Sequence, residues 1–268
     1  MNLVEISNLK FSYGEKNILS DIHLYIPQGS WSTIIGLSGT GKSTLLKIIV
    51  GLLEYNGSIK IDNLLLEKDS LVEIRKKIGV VFENPEFSFV TETVKDDLAF
   101  TLENMQYESK EIKKRIKEVA EKLQITKLLN KNPHLLSGGE KQIVALAIAI
   151  VHKPKLLILD EAFTMIDSSQ RKKILDFVKK IQIEENVTIL LVTHDMEECL
   201  YSNYLYVLKD GKFVLQGLKE EVFKEENKLT KMGLELPFLV SLSKKLQYYD
   251  LVDTYYYDME QLVDALWK

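Results

Sequence analysis

A glycine-rich stretch near the N-terminus carries the residue types that hold the phosphates of a nucleotide. Residues 36–44 read G-L-S-G-T-G-K-S-T. The fixed positions of the template G-x-x-x-x-G-K-[ST] are met by Gly36, Gly41, Lys42 and Ser43. Glycines let the backbone curl so that several N–H groups face one phosphate. Lys42 is expected to reach the β- and γ-phosphates, Ser43 to ligate Mg²⁺ and Thr44 to contact the α-phosphate. The other members of this predicted ATP-binding loop are Leu37, Ser38, Gly39 and Thr40.

A pair of adjacent carboxylates ends a later apolar run. The segment K-L-L-I-L-D-E places Asp160 where a strand would deliver a further ligand to the Mg²⁺ held by Ser43. Glu161, one residue on, is positioned to orient and polarise an attacking water molecule. An ordinary polar strand end has the same composition, so the pair indicates hydrolysis only because a complete phosphate loop precedes it.

A second Ser-Gly-Gly element follows much later in the chain. Residues 136–142 read L-S-G-G-E-K-Q, and an apolar helical run comes directly after them. Ser137, Gly138 and Gly139 therefore stand at a predicted helix N-terminus, which attracts anions. A purely structural interpretation is also open, because Ser137 with Glu140 three residues later matches a capping box.

The elements that must position these residues alternate between strands and helices. Strands are predicted at 4–9, 22–26, 31–36, 58–62, 78–82, 156–160 and 188–193. The last two are continuous apolar runs, which is typical of parallel strands covered on both faces. The pattern is helical between 105 and 152, and a hairpin is predicted to turn at Asp210-Gly211. The chain is therefore expected to have an α/β fold, in which a strand leads into the phosphate loop and a helix follows it.

The tail after Gly217 has a different composition. Two short amphipathic helices are predicted in it, and Asp258 followed by Gln261 resembles a capping box at the start of the second. Two short helices bury little surface alone, so they are expected to dock on the main domain or on another chain.

Composition and charge exclude several classes of protein. The 268 residues are 46% hydrophobic and 28% charged, as in ordinary globular proteins. The net charge of −4 argues against a nucleic-acid partner, and none is expected. The single cysteine, Cys199, forms no internal disulfide and is predicted to be a small buried side chain. The N-terminus lacks an apolar signal core, and the longest apolar run, 143–151, is too short to span a membrane. If the protein acts at a membrane, it is expected to do so from the cytoplasmic side, through a membrane-embedded partner.

With these motifs in this order, the sequence resembles the ATP-binding-cassette family, whose signature is the LSGG at 136–139. The resemblance implies a P-loop NTPase fold of the ABC type, with a RecA-like core, an antiparallel β-subdomain and an α-helical subdomain at about 85–152. It also implies a nucleotide-binding domain at 1–217 and a helical C-terminal dimerisation extension at 218–268.

Several residue roles are implied by this resemblance alone. In the family, two chains sandwich two ATP molecules, so Ser137, Gly138 and Gly139 are expected to face the ATP of the opposite subunit. Asp167, in T-M-I-D, matches the loop that crosses the dimer interface. Tyr13, in F-S-Y-G, matches the aromatic residue that stacks on adenine, although alone it would be ordinary packing. His194, in V-T-H-D, matches the histidine that contacts the γ-phosphate and the attacking water, although an isolated histidine is more often structural. The predicted catalytic residues are thus Glu161, His194 and Lys42.

One position departs from the family pattern. The family places Gln before the Asn-Pro turn, whereas this chain reads V-F-E-N-P and has Glu83 there. A carboxylate still ligates Mg²⁺ but donates no hydrogen bond and adds negative charge near ATP. Glu83 is therefore expected to contact nucleotide and metal and to alter the rate or the coupling.

Several subgroups of ABC ATPases can be excluded, and two further stretches indicate which one this chain resembles. The interval between Ser43 and Ser137 is too short for the coiled coils of chromosome-maintenance and strand-break-repair ATPases, and the zinc-binding cysteines of excision-repair members are absent. Only one cassette is present, unlike in the translation-associated members. Residues 92–104 and 232–242 resemble ATPases of energy-coupling factor importers. That resemblance implies a peripheral ATPase, with ATP and Mg²⁺ as cofactors, on the cytoplasmic face of the cell membrane.

The partners implied are a second ABC ATPase, identical or different, a transmembrane coupling protein and an integral substrate-binding protein for a vitamin or a transition-metal ion. The alternatives are an ATPase of a conventional ABC importer and a soluble regulatory ATPase without a membrane partner. The tail tyrosines, at 248–249 and 255–257, would serve pairing between the two ATPases or ordinary packing.

Overall fold

The computed structural model describes residues 1–267, within which ten strands form two sheets. The strands are β1 (Asn2–Tyr13), β2 (Lys16–Pro27), β3 (Trp31–Ile35), β4 (Asn56–Ile61), β5 (Leu64–Leu65), β6 (Ile78–Val81), β7 (Leu156–Asp160), β8 (Thr188–Thr193), β9 (Tyr204–Lys209) and β10 (Lys212–Leu218). The helices are α1 (Lys42–Ile49), α2 (Leu71–Lys76), α3 (Val94–Asn104), α4 (Ser109–Lys122), α5 (Gly138–Ile150), α6 (Ser168–Glu185), α7 (Lys219–Lys224), α8 (Glu226–Lys231), α9 (Phe238–Tyr248) and α10 (Met259–Leu266). Short 3₁₀ turns cover Pro85–Ser88, Thr126–Leu128, Pro133–Leu135 and Glu198–Tyr201.

The larger sheet has six strands in the order β10-β9-β3-β8-β7-β6. Its neighbours pair in parallel from β9 to β6, and only the edge strand β10 is antiparallel to its neighbour. Alternate residues of β7 point into different cores, Leu156 and Ile158 into one and Leu157 and Leu159 into the other. The continuous apolar runs are therefore parallel strands covered on both faces, as predicted.

The second sheet is antiparallel, in the order β2-β1-β4-β5. Its inward residues, including Ile6 and Leu24, share one core with Leu45 and Ile48 of α1. The opposite face of the six-stranded sheet is covered by a separate core, to which α3, α4, α5 and α6 contribute. The two cores enclose the parallel sheet, so the carboxyl ends of its strands are held on a rigid support.

All elements from Pro85 to Ile150 are helical. The predicted stripe of α4 is buried through Ile112, Ile116 and Val119, which join Leu98 of α3 in one core. The helical subdomain predicted at about 85–152 contains these elements. Its boundaries as a separate subdomain stay a prediction. Within residues 1–267, no helix is long and apolar enough to cross a membrane.

The hairpin of β9 and β10 turns where predicted. Asp210 and Gly211 have φ values of +48° and +72°, and the strands pair from Lys209–Lys212 outward. Two consecutive left-handed residues give the turn whose twist matches that of the flanking strands, and glycine adopts this conformation without steric cost.

The tail docks on the main domain. Phe223 of α7 and Leu229 of α8 pack in one core with Val207 of β9 and the fully buried Cys199, and burial raises the pKa of that thiol. A small satellite core joins α9 to α10 through Leu239 and Leu262. Tyr255, Tyr256 and Tyr257 pack against these clusters, whereas Tyr248 and Tyr249 are exposed. The boundary at 217–218 and the dimerisation role of the tail stay predictions, and Lys268 lies outside the described residues.

Helix α10 offers a test of the capping prediction. The Asp258 carboxylate accepts the Gln261 N–H at 3.1 Å, which is half of the predicted capping box. Replacing Asp258 with Ala leaves this N–H without its acceptor, at a cost of about 1 kcal/mol. We expect hydrogen exchange to accelerate in residues 259–266 and to stay unchanged in the six-stranded sheet. Asp258→Asn is the matched control, because Asn caps as well as Asp, and equal exchange in the two variants would contradict the capping role.

Candidate functional site

The phosphate-binding loop connects the end of β3 to the start of α1. Gly39 and Gly41 have φ values of +81° and +107°, in the region that only glycine enters without steric cost. At Gly36 a Cβ atom would lie 2.3 Å from the carbonyl oxygen of Leu208, so the adjoining strand β9 leaves no room for a side chain. The glycines at these positions are therefore required by the loop itself.

Lys42 lies at the centre of the loop. Its side chain is only 4% exposed, and its Nζ donates hydrogen bonds to the carbonyl oxygens of Gly36, at 2.7 Å, and Leu37, at 3.1 Å. Nζ also lies 3.6 Å from Oε1 of Glu161. A buried ammonium needs partners that offset its lost hydration, and these oxygens supply them. The loop thus holds a positive charge beside the carboxyl end of β7.

Glu161 has an unusual backbone conformation. Its φ is +47°, a left-handed value that costs a non-glycine residue roughly 1–2 kcal/mol. The Glu161 N–H donates to the carbonyl oxygen of Val192 at 2.8 Å, and Oε2 lies 3.0 Å from Nδ1 of His194. This backbone turn brings the carboxylate between Lys42 and His194, so Glu161 contacts both of the other predicted catalytic residues. Strain of this kind is characteristic of functional sites, and the sequence gives no sign of it.

Asp160 ends β7 with one carboxylate oxygen unsatisfied. Oδ1 is buried and has no hydrogen-bond partner among the described residues. Burial, together with the nearby charges of Glu161 and Glu83, raises the pKa of Asp160 to about 6. A buried acceptor without a partner is costly, and a divalent cation at this oxygen would satisfy it.

The residues present suit Mg²⁺ bound together with a nucleotide. Residues 1–267 contain no cluster of three or more His, Cys, Asp or Glu side chains that forms a complete metal site. Mg²⁺ is commonly bound by one or two carboxylates and the phosphates of a substrate. Asp160, with Ser43 and Glu83 as the other predicted ligands, meets that requirement, since a phosphorylated ligand would supply the remaining oxygens.

The segment that carries Glu83 is tied to α5. Gln142, which is buried, donates from Nε2 to the carbonyl oxygen of Glu83 at 3.2 Å. Three residues on, Glu86 pairs with Lys141 and His134. Gln142 could not be assigned this contact from the sequence, where its only signal is a polar residue at the start of an apolar helix. These contacts connect the predicted metal ligand to the helix that begins with the second Ser-Gly-Gly element.

The second Ser-Gly-Gly element begins α5, and the predicted capping box is confirmed. Ser137 Oγ accepts the Glu140 N–H at 3.4 Å, and Glu140 Oε2 accepts the Ser137 N–H at 2.9 Å. Gly138 has no left-handed backbone, and a Cβ on it would meet Met165 at 3.7 Å, which is ordinary contact. A Cβ on Gly139 would meet only the side-chain end of Gln170, at 3.1 Å. Unlike the loop glycines, these two are therefore not required by the fold of the single chain.

Asp167 lies next to this element. Its Oδ1 accepts the Gln170 N–H at 3.0 Å and so caps α6, while the adjacent Met165 and Gln170 are the residues nearest to the two glycines. The structure thus brings the predicted site residues together in two groups. One contains the residues around Lys42, and the other contains those predicted to act on an opposite subunit. Tyr13 lies apart at the end of β1, about half exposed, with its ring 4.7 Å from that of Phe11.

A parallel sheet whose strand-to-helix loop binds phosphates, with carboxylates on neighbouring strand ends, defines a P-loop nucleotide-binding protein. The family model described as ABC transporter matches residues 19–164, and the chain belongs to this family. The energy-coupling factor transporter ATP-binding protein EcfA of Pediococcus pentosaceus is 41% identical over 241 residues, which cover 88% of this chain and 86% of that protein. The protein EcfA1 of Oenococcus oeni, of the same description, is 38% identical over 272 residues, covering 100% of this chain and 98% of that protein.

A solved structure has the same fold over most of the chain. It is cbiO1 from Clostridium perfringens, described as part of the ABC transporter complex cbiONQ. The two chains are 32% identical with a TM-score of 0.77, and the match covers 88% of this chain and 96% of that one. The P-loop NTPase fold of the ABC type is therefore confirmed.

The metal role of Glu83 can be tested by Glu83→Gln. A carboxylate binds a divalent cation more strongly than an amide does, so the half-saturating Mn²⁺ concentration for ATP binding should rise about three- to tenfold. The KM for ATP at saturating cation should not rise, because one negative charge near the triphosphate is lost. The measurements are Mn²⁺ titration by electron paramagnetic resonance and steady-state ATPase assays. Glu92→Gln, an exposed change in the same segment, is the control. Unchanged cation affinity, ATPase rate and transport in Glu83→Gln would show that the departure at this position is neutral.

Proposed function

We propose that this chain is the ATP-hydrolysing subunit of an energy-coupling factor importer, which drives uptake of a vitamin or a transition-metal ion through membrane partners. The observation that carries the proposal is the similarity to an energy-coupling factor ATP-binding protein over the whole chain, including the helical tail. The complex named for the solved neighbour, cbiONQ, supports an assembly of several different subunits. The ATPase of a conventional importer and a soluble regulatory ATPase are the alternatives.

The geometry of the site supports two chains acting together on ATP. Gly138 and Gly139 begin a helix of thirteen residues, where N–H groups and the helix dipole favour an anion. Their own chain leaves room for a Cβ at Gly138, and at Gly139 only the end of the Gln170 side chain would have to shift. A phosphate approaching from outside the chain, in contrast, requires an open helix start. The neighbouring Asp167 loop belongs to the same surface. We infer that this surface completes the ATP site of a second cassette.

Each residue of the Lys42 group has a distinct proposed role. Lys42 binds the β- and γ-phosphates, and Glu161 orients water and accepts its proton at the carboxylate. His194, through its contact with Glu161, orients that carboxylate and meets the γ-phosphate. Ser43, Asp160 and Glu83 hold Mg²⁺, which when bound neutralises charge on the phosphates. Tyr13 stacks on adenine through its exposed ring face.

The surface that would receive the membrane partner lies near Glu83. Phe87, Val90 and Phe100 are large apolar residues within 83–104, and they are 73%, 67% and 42% exposed. Exposed apolar groups concentrated in one segment indicate a protein partner. Because Gln142 ties this segment to α5, closure of two cassettes on ATP would move the partner-binding surface. We therefore propose that the chain acts at the cytoplasmic face of the membrane, bound to a transmembrane coupling protein and, through it, to a substrate-binding protein.

Gly138→Ala tests the action on an opposite subunit. Since a Cβ fits within the chain, the free energy of unfolding should change by less than about 0.5 kcal/mol, yet the side chain would block the approaching phosphate. We expect an ATPase rate at least about a hundredfold lower, with ATP binding by the single chain retained. Thermal unfolding, ATP titration and phosphate release measure the three quantities.

The control is Gly51→Ala. Gly51 follows the C-terminal end of α1, away from the phosphate loop at the N-terminal end of that helix. Gly51 has a φ of +70°, and its Cβ would lie 2.3 Å from Leu71 Cδ1. This change should cost about 1–2 kcal/mol of stability while the folded protein keeps its ATPase rate. A wild-type rate in Gly138→Ala would refute the role assigned to this glycine.

Glu161→Gln tests the water-orienting role. The amide keeps the size of the side chain but accepts no proton, so ATP stays bound and two cassettes stay together. With Mg²⁺ and ATP, light scattering should report a stable dimer and turnover should be almost absent. The protein is measured alone, where a dimer forms between identical chains, and in a mixture with a co-expressed second ATPase. Persistently monomeric protein in both measurements, or wild-type turnover, contradicts the proposal.

Purification of the chain with its membrane partners separates the three functions. The full chain is expressed with an affinity tag in a cell that contains its native partners, extracted in mild detergent and identified by mass spectrometry. A coupling protein and an integral substrate-binding protein support the energy-coupling factor importer. A permease with a separate receptor supports the conventional importer. The absence of integral membrane proteins supports the regulatory ATPase.

A further inference from the structure

Arg171 joins two segments of the site that are distant in sequence. It lies in the first turn of α6, four residues after the helix cap Asp167. Its Nη1 donates to Oδ2 of Asp195 at 2.7 Å, and its Nη2 donates to the carbonyl oxygen of Ile166 at 3.4 Å. One guanidinium therefore holds the backbone just before Asp167 and the residue just after His194. Nothing local in the sequence distinguishes this arginine from the other charged residues of α6.

The acceptor Asp195 shapes the turn that follows β8. Its Oδ1 accepts the Glu197 N–H at 2.9 Å, while its own N–H donates to Oγ1 of Thr193 at 3.0 Å. The two carboxylate oxygens thus have separate tasks, since Oδ1 closes the turn and Oδ2 receives Arg171. His194 lies between Thr193 and Asp195, so the direction of its ring depends on this turn.

A buried carboxylate lies in the same cluster. Glu198 is 4% exposed, its Oε1 lies 3.8 Å from Nη1 of Arg171, and its Oε2 has no hydrogen-bond partner among the described residues. Burial raises the pKa of Glu198 to about 7, and the Arg171 charge opposes this shift. Arg171 is thus held between two carboxylates and a carbonyl, an arrangement that the planar guanidinium fits and a lysine ammonium does not.

We propose that Arg171 is a positioning residue that couples the Asp167 segment to the His194 turn, so that engagement of a second cassette sets the geometry of the His194–Glu161 pair. The inference rests on the proposed function, because it assigns Asp167 to the surface that meets the second cassette. Arg171 binds no nucleotide itself. Its loss therefore affects the hydrolytic step, in which His194 and Glu161 act, and leaves ATP binding at Lys42 intact.

The first measurement compares kcat with KM for ATP. Arg171→Ala should lower kcat about tenfold and change KM less than about twofold, since ground-state binding is untouched. Arg171→Lys should lie between wild type and Arg171→Ala, because a single ammonium replaces only one of the two donors. The rates are normalised to the concentration of folded protein, which is determined by circular dichroism.

A double-mutant cycle tests whether the coupling runs through Asp195. Asp195→Asn keeps the Oδ1 acceptor that closes the turn but removes the charge that receives Arg171. It should reproduce the kcat loss of Arg171→Ala, and the double variant should be no slower than either single variant. Additive losses in the double variant would overturn the proposal. If Arg171→Ala does not fold, the Asp195→Asn variant alone tests it, and an unchanged kcat in Asp195→Asn would overturn the proposal.

Arg115 provides a matched control. Its Nε donates to Oε1 of Glu111 at 2.9 Å and its Nη1 to the carbonyl oxygen of Val151 at 3.4 Å, so it has the same kinds of partner on α4. Arg115→Ala should leave kcat within about twofold of wild type, although it removes a comparable ion pair of modest stability. Equal kcat losses in Arg115→Ala and Arg171→Ala would mean a merely structural role.

The outcomes separate the two proposals. If the wild-type protein hydrolyses no ATP, alone or with its second cassette, the proposed function fails. If wild type turns over ATP and Arg171→Ala retains its kcat, only the role of Arg171 fails.

Discussion

The site depends on the placement of one buried ammonium group beside two carboxylates at the edge of a parallel sheet. Lys42 is nearly inaccessible, and its charge is compensated by two loop carbonyls and by Glu161. Charges in a poorly hydrated environment interact strongly, so the positions of Lys42 and Glu161 are mutually determined. The β-strands supply the rigidity that this requires, because β3 and β7 are covered on both faces. A phosphate enters a site whose electrostatics are set in advance.

Two classes of glycine distinguish the two halves of the proposed ATP site. In the phosphate loop, Gly39 and Gly41 adopt left-handed backbone conformations and Gly36 lies against a strand, so the fold explains them. At the start of α5, Gly138 is helical and has space for a methyl group. The residue type is the same, but the constraint lies inside the chain in one case and outside it in the other. Such a comparison separates glycines that build a loop from glycines that leave room for a ligand.

Much of the fold followed from patterns that are local in sequence. The apolar runs of β7 and β8, the turn at Asp210-Gly211 and the capping box at Ser137 are each set by neighbouring residues, and all three predictions are confirmed. The class of the protein followed from the order of short motifs. Helix α6 was missed even though its buried positions, such as Ile174 and Val178, recur at helical spacing.

The remaining features depend on contacts between distant segments. The left-handed backbone of Glu161 is fixed by its bond to Val192, and Arg171 acquires its role only because α6 packs beside the turn after β8. The contact of Gln142 with Glu83 likewise joins residues that are 59 positions apart in sequence. A single sequence shows the residue types in these pairs but not which ones meet. For this reason the predicted catalytic residues were accessible from the sequence, while the groups that contact and orient them were not.

The buried position of the one native thiol has a practical consequence for spectroscopy. Cys199 is enclosed in the core that attaches the tail, so maleimides and nitroxides do not reach it in the folded protein. A cysteine introduced on the surface would then be the sole labelled site without removal of the native one. Distances between two such labels, one in each cassette of the proposed pair, would report whether the pair opens and closes, in a protein whose sequence is otherwise unaltered.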